Sequence, residues 1–345
     1  LAVNNILIRF LFFLKILMIR PVVVIPADSP PLVGASPCLV QLRAIADYTL
    51  HTDRPSSVDQ QIHRVQPADI LLNSRGSLAF PADILQQLPR LRMIAVCGIG
   101  YDAIDLAQAT RQGIVVCNVP GRTALIVAEH AIGLMLAVAR RMSFMTAQLR
   151  AGHWRGDLGL TLSGRCLGVI GTGHIGCEML RLGRALGMRT IAWSLHPDPE
   201  KAARLGFEYT GFTDLLQTAD VVSLHTRLSP QTRQLIGAAQ FAQMRPSSIL
   251  INTSRGAIVD TPALVAALNS GHLFGAGLDV FDVEPLPHDH PLLSCSNVVL
   301  TPHCADTTQQ GLDQLTLGCI DNIRCFLQGH PQNVVNPEVL NQHRS

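Results

Sequence analysis

No two cysteines in this chain form a Cys-X-X-Cys pair. The nine cysteines (Cys38, Cys97, Cys117, Cys166, Cys177, Cys295, Cys304, Cys319 and Cys325) are odd in number and scattered. That spacing argues against a disulfide framework and against a zinc site, and it points to a reducing compartment. Most read as small core residues. Cys97 and Cys304 lie beside motifs discussed below and are expected to line the site without taking part in its chemistry.

Charge of one sign is also missing. The chain carries 27 Lys and Arg against 25 Asp and Glu, a net charge of +2. No block of like charges stands out, so neither nucleic acid nor an anionic membrane is an expected partner. There is no fixed-period repeat and no low-complexity tract. The one strongly apolar run, Ile6 to Ile19, is interrupted by Arg9 and Lys15. A membrane span needs roughly 20 apolar residues, and the run lacks a small-residue cleavage site of the secretory kind. Residues 1–17 therefore read as a mis-assigned translation start ahead of Met18, or as an apolar extension, with a membrane anchor as the alternative. A cytoplasmic protein is expected.

What is present is a repeating alternation. With 345 residues the chain has room for two domains, each with its own core. Short apolar runs at Val22–Ile25, Ile70–Leu72, Met93–Val96 and Val115–Cys117 read as buried strands. Helical spacing separates them, as in Pro81–Leu88 and Ala103–Gln112. A long Ala- and Leu-rich helix is expected from about Thr123 to Leu149. A second series follows, with strands at Leu167–Ile170, Thr190–Trp193, Val221–Leu224, Ile249–Ile251, Ala276–Val280 and Val298–Leu300. This pattern predicts an α/β protein with two Rossmann-like, doubly wound parallel-sheet domains and an active-site cleft between them. A last helix, roughly Thr308–Leu327, is expected to cross back to the first domain. The expected division is 18–117 plus 306–337 for a discontinuous substrate-binding domain and 118–305 for a dinucleotide-binding domain.

Gly171-Thr-Gly173-His-Ile-Gly176 is a Gly-X-Gly-X-X-Gly run directly after an apolar strand and at the start of a helix. Gly171 permits the tight turn, Gly173 lets a pyrophosphate approach the backbone, and Gly176 lets helix and strand pack closely. The helix N-terminus offers unpaired N–H groups and a positive dipole end to phosphate. The fingerprint also expects an acid at the end of the next strand, to hold the ribose 2′-hydroxyl. Here that segment reads Ala192-Trp-Ser194-Leu-His196, with no carboxylate. Ser194 does not repel a 2′-phosphate as Asp would, so NAD and NADP both remain open as cofactors. Arg227 is a candidate partner for such a phosphate, or a solvated surface arginine.

Three further motifs stand at predicted strand ends, where open α/β sheets place their ligands. The first is Asn252-Thr-Ser-Arg255-Gly256, whose guanidinium suits a carboxylate and a polarised carbonyl. The second is Leu278-Asp279-Val-Phe-Asp-Val-Glu284, and the third is Thr301-Pro-His303. Reduction of a ketone needs a proton delivered to the developing alkoxide, which histidine can do near neutral pH. A carboxylate on the far ring nitrogen would orient it, the role expected of Glu284. Each residue alone has a structural explanation, and their succession behind a glycine loop is what points to catalysis.

Together with Cys97-Gly-Ile-Gly100-Tyr-Asp102 and Val127-Ala-Glu-His130, these motifs resemble the D-isomer-specific 2-hydroxyacid dehydrogenase family, which includes glyoxylate/hydroxypyruvate reductases and phosphoglycerate dehydrogenases. The resemblance runs from about Met18 to Pro337. It implies an oxidoreductase that moves a hydride between NAD(P)H and a small 2-keto or 2-hydroxy acid. It implies Arg255 as the substrate ligand, His303 as acid/base and Glu284 as its partner, and the substrate carboxylate held by Arg75, Gly76 and Ser77 and by Gly98 and Ile99. The candidate cofactor contacts are Gly171, Thr172, Gly173, His174, Ile175, Gly176, Ser194, His225, Thr253, Asp279 and Ala305. The resemblance also implies a homodimer built through the long helix from Val127 to Arg140. No metal is expected. An NAD(H)-sensing, corepressor-like binding protein of the same fold is the alternative. Formate oxidation is disfavoured because such relatives usually carry Gln in the place of Glu284.

The departures from the family pattern are Ser194 for the usual acid, Thr226-Arg-Leu228 where a proline is usual, and Cys304 where a branched apolar residue is common. Little chain follows the final helix, so a regulatory C-terminal domain with serine feedback is not expected.

Overall fold

Strands that read as unbroken apolar runs do so because both faces of their sheets are covered. The computed structural model describes residues 20–342, so the reading of residues 1–17 lies outside the described residues. These residues divide into two compact units, 20–122 with 308–342, and Thr123–Thr307.

The first unit contains β1 (Val22–Ile25), β2 (Asp47–Leu50), β3 (Ile70–Ser74), β4 (Met93–Cys97) and β5 (Val115–Cys117). They form a parallel sheet in the order β2-β1-β3-β4-β5. Alternate residues serve opposite cores. Val23, Ile25, Ile70 and Leu72 pack on one face, whereas Val24, Leu71, Ile94 and Val96 pack on the other. The helix Gln309–Leu327 starts at Thr308, whose Oγ1 accepts from Gly311 N at 2.9 Å. It buries Leu315, Cys319, Ile320 and Ile323 and lies against β4 and the 3-10 segment Pro37–Ala44. Strand β2 is absent from the sequence reading. Its residues Asp-Tyr-Thr-Leu sit at the sheet edge, where exposure alternates and no apolar run is needed.

The second unit contains β6 (Cys166–Ile170), β7 (Arg189–Trp193), β8 (Glu208–Tyr209), β9 (Val221–Leu224), β10 (Ser248–Asn252), β11 (Leu273–Leu278) and β12 (Val298–Leu300). All are parallel, in the order β12-β11-β10-β9-β6-β7-β8. The chain order reverses between β6 and β9, which is the ligand crevice of doubly wound sheets. The sheet has seven strands, one more than the sequence reading, because the two-residue β8 is too short to leave a signal.

Two boundaries are corrected. Strand β11 is Leu273–Leu278 and not Ala276–Val280. Its glycines hide it, since a Cβ at Gly275 would stand 2.4 Å from Asn297 O, and one at Gly277 would stand 2.9 Å from Leu134 Cβ. The helix read as continuous to Leu149 breaks into Ala124–Ala139 and Met142–Arg150. Arg141 at the break has φ of 51°, pairs with Asp157 at 3.1 Å and stacks over Phe274 at 4.5 Å. Those tertiary partners select a left-handed residue that helical periodicity cannot foresee.

Candidate active site

The glycine loop is built as its spacing requires. Gly171 has φ of +98°, and a Cβ on it would stand 2.6 Å from the His225 carbonyl oxygen. A Cβ on Gly176 would stand 1.9 Å from Gly171 O, so the helix His174–Ala185 rests directly on the turn. Around Gly173 nothing lies within 4 Å of where a Cβ would be. This open position at a helix N-terminus with no acidic residue in its first turn fits a dinucleotide pyrophosphate. Two buried polar atoms at neighbouring strand ends support that fit. His225 Nδ1 after β9 and Thr253 Oγ1 after β10 have no hydrogen-bond partner among the described residues. His225 is partly exposed as a residue, but its ring is bonded through Nε2 to Ser223 Oγ at 2.8 Å, and burial pushes its pKa down to about 3. It is therefore a neutral ring.

At the end of β7 the Ser194 hydroxyl turns back on its own chain, accepting from His196 N at 3.2 Å and donating to His196 O at 3.3 Å. Lys201, which the sequence reading passed over, reaches the same neighbourhood. Its ammonium donates to Thr172 O at 3.4 Å and lies 3.7 Å from Asp198. The Thr172 hydroxyl is bonded to Tyr209 OH at 2.7 Å.

Arg255, Glu284 and His303 are assembled by short local contacts. Buried Asn252 holds the turn after β10. Its Oδ1 accepts from Ser254 N at 3.0 Å and Ser254 Oγ at 2.8 Å, and its Nδ2 donates to Arg255 O at 2.9 Å. Gly256 then lies on the Phe281–Asp282 backbone so closely that a Cβ would meet Phe281 C at 1.9 Å. Phe281 N donates to Glu284 Oε1 at 2.9 Å, and Glu284 Oε2 is 2.7 Å from His303 Nδ1. Burial raises the Glu284 pKa, but the hydrogen bonds from His303 and Phe281 N–H and the charges of His303 and Arg255 outweigh it, leaving it lowered. A carboxylate at Nδ1 holds a proton on that nitrogen and leaves proton exchange to Nε2. The close approach at Gly256 is a contact that spacing along the chain does not record.

Asp279 anchors the other side. Its buried carboxylate accepts from Thr301 Oγ1 at 2.6 Å, Cys304 N at 2.9 Å and Ala305 N at 2.9 Å. Burial raises its pKa, yet the hydrogen bonds of His130, Thr301, Cys304 and Ala305 prevail and lower it. Because the Thr301 hydroxyl gives its proton to Asp279, it accepts from His130 Nε2 at 3.0 Å. Thr301 thus links His130 to Asp279 in one network.

In the first unit, the five candidate substrate contacts come together at the adjacent ends of β3 and β4. Arg75 N donates to Cys97 O at 3.1 Å, and a Cβ on Gly98 would lie 3.8 Å from Arg75 Cα. Arg75 has φ of 49° and Gly76 of 64°. Ser77 Oγ donates to Ala27 O at 3.1 Å, and Asn118 Nδ2 to Ile99 O at 2.7 Å. Buried Asp28, which the sequence reading missed, accepts from Ser74 Oγ at 3.0 Å and from the N–H groups of Leu32, Val33 and Gly34.

Among the described residues no helix is long and apolar enough to cross a membrane. Residues 132–305 match the family model described as D-isomer specific 2-hydroxyacid dehydrogenase, NAD binding domain. A glyoxylate reductase of Aeropyrum pernix is 42% identical over 268 residues, covering 75% of this chain and 80% of the relative. A glyoxylate reductase of Korarchaeum cryptofilum is 37% identical over 84% of this chain and 89% of the relative. The crystal structure of a glyoxylate reductase from Paecilomyes thermophila superposes with a TM-score of 0.83 at 29% identity, over 92% of this chain and 99% of that one. With its glycine loop and its Arg255, Glu284 and His303 contacts, the chain belongs to the D-isomer specific 2-hydroxyacid dehydrogenase family of oxidoreductases.

Proposed function

We propose that this chain reduces a small 2-keto acid, glyoxylate or hydroxypyruvate, with His303 as the proton donor. The observation that carries the reading is the 2.7 Å contact of His303 Nδ1 with Glu284, beside the turn that presents Arg255. The second unit would hold a reduced nicotinamide, which would supply the hydride. Arg255 offers a planar fork of donors to the substrate carboxylate and to the ketone oxygen as negative charge develops there. His303 delivers the proton from Nε2, and Glu284 stabilises the ring while it is charged. The Gly76 and Ile99 N–H groups are the backbone donors for the carboxylate, since those of Arg75, Ser77 and Gly98 are bonded within the fold. The glyoxylate reductases among the relatives support a compact substrate.

The glycine loop would hold the cofactor, Thr253 and His225 would offer it their unpartnered atoms, and Asp279 and Ala305 would serve its nicotinamide end. NADPH is accepted as well as NADH. No carboxylate ends β7, and Lys201 places a cation beside Thr172. The protein works as a homodimer in the cytoplasm. Trp154 and Leu158 are 96% and 88% exposed, an apolar display that a second copy would cover. Val138, Phe144, Phe274 and Val298 line a shallow depression near the helix Ala124–Ala139.

The test is loss of reduced-nicotinamide absorbance with purified protein, offering NADH and NADPH separately with glyoxylate, hydroxypyruvate, pyruvate and longer 2-keto acids. Turnover greatest with the two-carbon and three-carbon substrates is expected. Silence across the panel with cofactor bound would overturn the reading.

A further inference from the structure

Three potential metal ligands converge beside Thr301. They are His130 on the helix Ala124–Ala139, Asp279 at the end of β11 and Cys304 after β12. One ligand atom from each lies within 4.8 Å of the others. His130 Nε2 is 3.5 Å from Asp279 Oδ1. Two ligands held roughly 2.0–2.2 Å from a tetrahedral zinc ion are about 3.4 Å apart, so this edge of a site is already set. The third ligand is placed by the backbone, because Cys304 N and Ala305 N both donate to the Asp279 carboxylate. The carboxylate therefore holds the cysteine in register.

We propose that His130, Asp279 and Cys304 form a binding site for one soft divalent cation of the zinc and cadmium class. A thiolate, an imidazole and a carboxylate are the donors zinc prefers, whereas magnesium and calcium take oxygen alone. The thiolate and the carboxylate together balance the charge of a divalent ion. Binding releases the Cys304 thiol proton to solvent. The His130 ring stays neutral but moves its proton from Nε2, where Thr301 now accepts it, to Nδ1, freeing Nε2 for the metal. Cys304 Sγ swings inward to close the triangle, since a zinc–sulfur bond is only about 2.3 Å. Three protein ligands leave a fourth position open. The absence of Cys-X-X-Cys pairs does not bear on this site, because its ligands come from three separate elements.

The site has a consequence for the reaction, and that part rests on the function proposed above. Cys304 follows His303 directly, and Asp279 is the carboxylate assigned to the nicotinamide end. An ion there would restrain the proton donor and engage that carboxylate, so it should inhibit turnover reversibly.

Binding is tested without reference to turnover. The full-length, reduced and chelator-treated protein is titrated with cadmium, and the ultraviolet thiolate-to-cadmium charge-transfer absorbance is followed. Cys38, Cys177 and Cys325 are also partly exposed, so the readout is the difference from Cys304→Val, with Cys304→Ser as a second variant should the first fail to fold. The expected result is one tight equivalent in the wild type that both variants lack and that His130→Gln weakens at least roughly tenfold. Equal absorbance and affinity in wild type and variants would overturn the site. In a parallel assay, zinc should inhibit glyoxylate-dependent NADPH oxidation, chelator should restore it, and Cys304→Val should resist. Cys304-dependent cadmium binding in a protein without turnover would sink the proposed function and leave the site standing. Turnover without such binding would do the reverse.

Discussion

His303 donates from Nδ1 to Glu284 across 2.7 Å while its own backbone holds a left-handed φ of 51°. A non-glycine residue there costs on the order of 1–3 kcal/mol and persists only where its surroundings impose it. The surroundings are visible. His303 N donates to Thr301 O at 3.0 Å, and the next two N–H groups are captured by Asp279. Arg75, assigned to the substrate, adopts the same strained region.

Replacing His303 by Ala should lower turnover with glyoxylate by roughly 10²–10⁴-fold, the usual worth of a positioned acid/base. NADPH binding, followed by nicotinamide fluorescence, should change little. Steady-state rates and a fluorescence titration on the same preparation check both halves. Wild-type turnover would remove His303 from the mechanism.

Gly256→Ala tests whether Arg255 is positioned by the Phe281–Asp282 backbone. The added methyl group would collide with Phe281 C at 1.9 Å and push the Arg255 turn away from Glu284. A displacement of about 1 Å at a reacting centre can cost on the order of 10²-fold. We expect kcat/KM for glyoxylate to fall by that order, with the unfolding midpoint measured alongside to separate misplacement from collapse.

Asp279 links stability to pH. Its folded pKa lies below the 3.8 of a free aspartate, so the native state favours the ionised form. The resulting stability is present above pH 3.8 and is lost as pH falls through the lower folded value. Asp279→Asn removes it and leaves N–H groups poorly paired, a loss of about 1–3 kcal/mol near neutral pH. Urea unfolding of both proteins should show that gap at neutral pH and a narrowing of it in strong acid. A gap independent of pH would show that the carboxylate charge contributes nothing.

Ser194→Asp should turn the enzyme toward NADH. A carboxylate at the end of β7 would accept from a ribose 2′-hydroxyl and repel a 2′-phosphate, and like charges so juxtaposed cost several kcal/mol. The ratio of kcat/KM for NADPH to that for NADH should drop at least roughly tenfold, equivalent to about 1.4 kcal/mol. An unchanged ratio would place Ser194 outside the cofactor site, with its hydroxyl serving only the turn to His196.

Much of this protein is legible in one dimension because its signals are local. Apolar runs such as Leu-Gly-Val-Ile in β6 and Val-Val-Ser-Leu in β9 mark strands buried on both faces. The glycine loop declares itself because turn, helix start and close packing occupy six consecutive residues. Arg255, Glu284 and His303 are recognisable by chemistry and by their places after strands. The sequence by itself therefore determined the α/β class and the glycine loop, and it singled out the side chains proposed to react. Tertiary structure alone decided what depends on partners distant in the chain. Edge strand β2 needs β1 beside it, the break at Arg141 needs Asp157 and Phe274, and strand β11 hides behind glycines that yield to Asn297 and Leu134. The same holds for the network in which His130 reaches Thr301, Thr301 reaches Asp279, and Asp279 captures the Cys304 backbone. Spacing records which residues can form an element, whereas close approach of two backbones and pairing of buried polar groups exist only once the chain has folded.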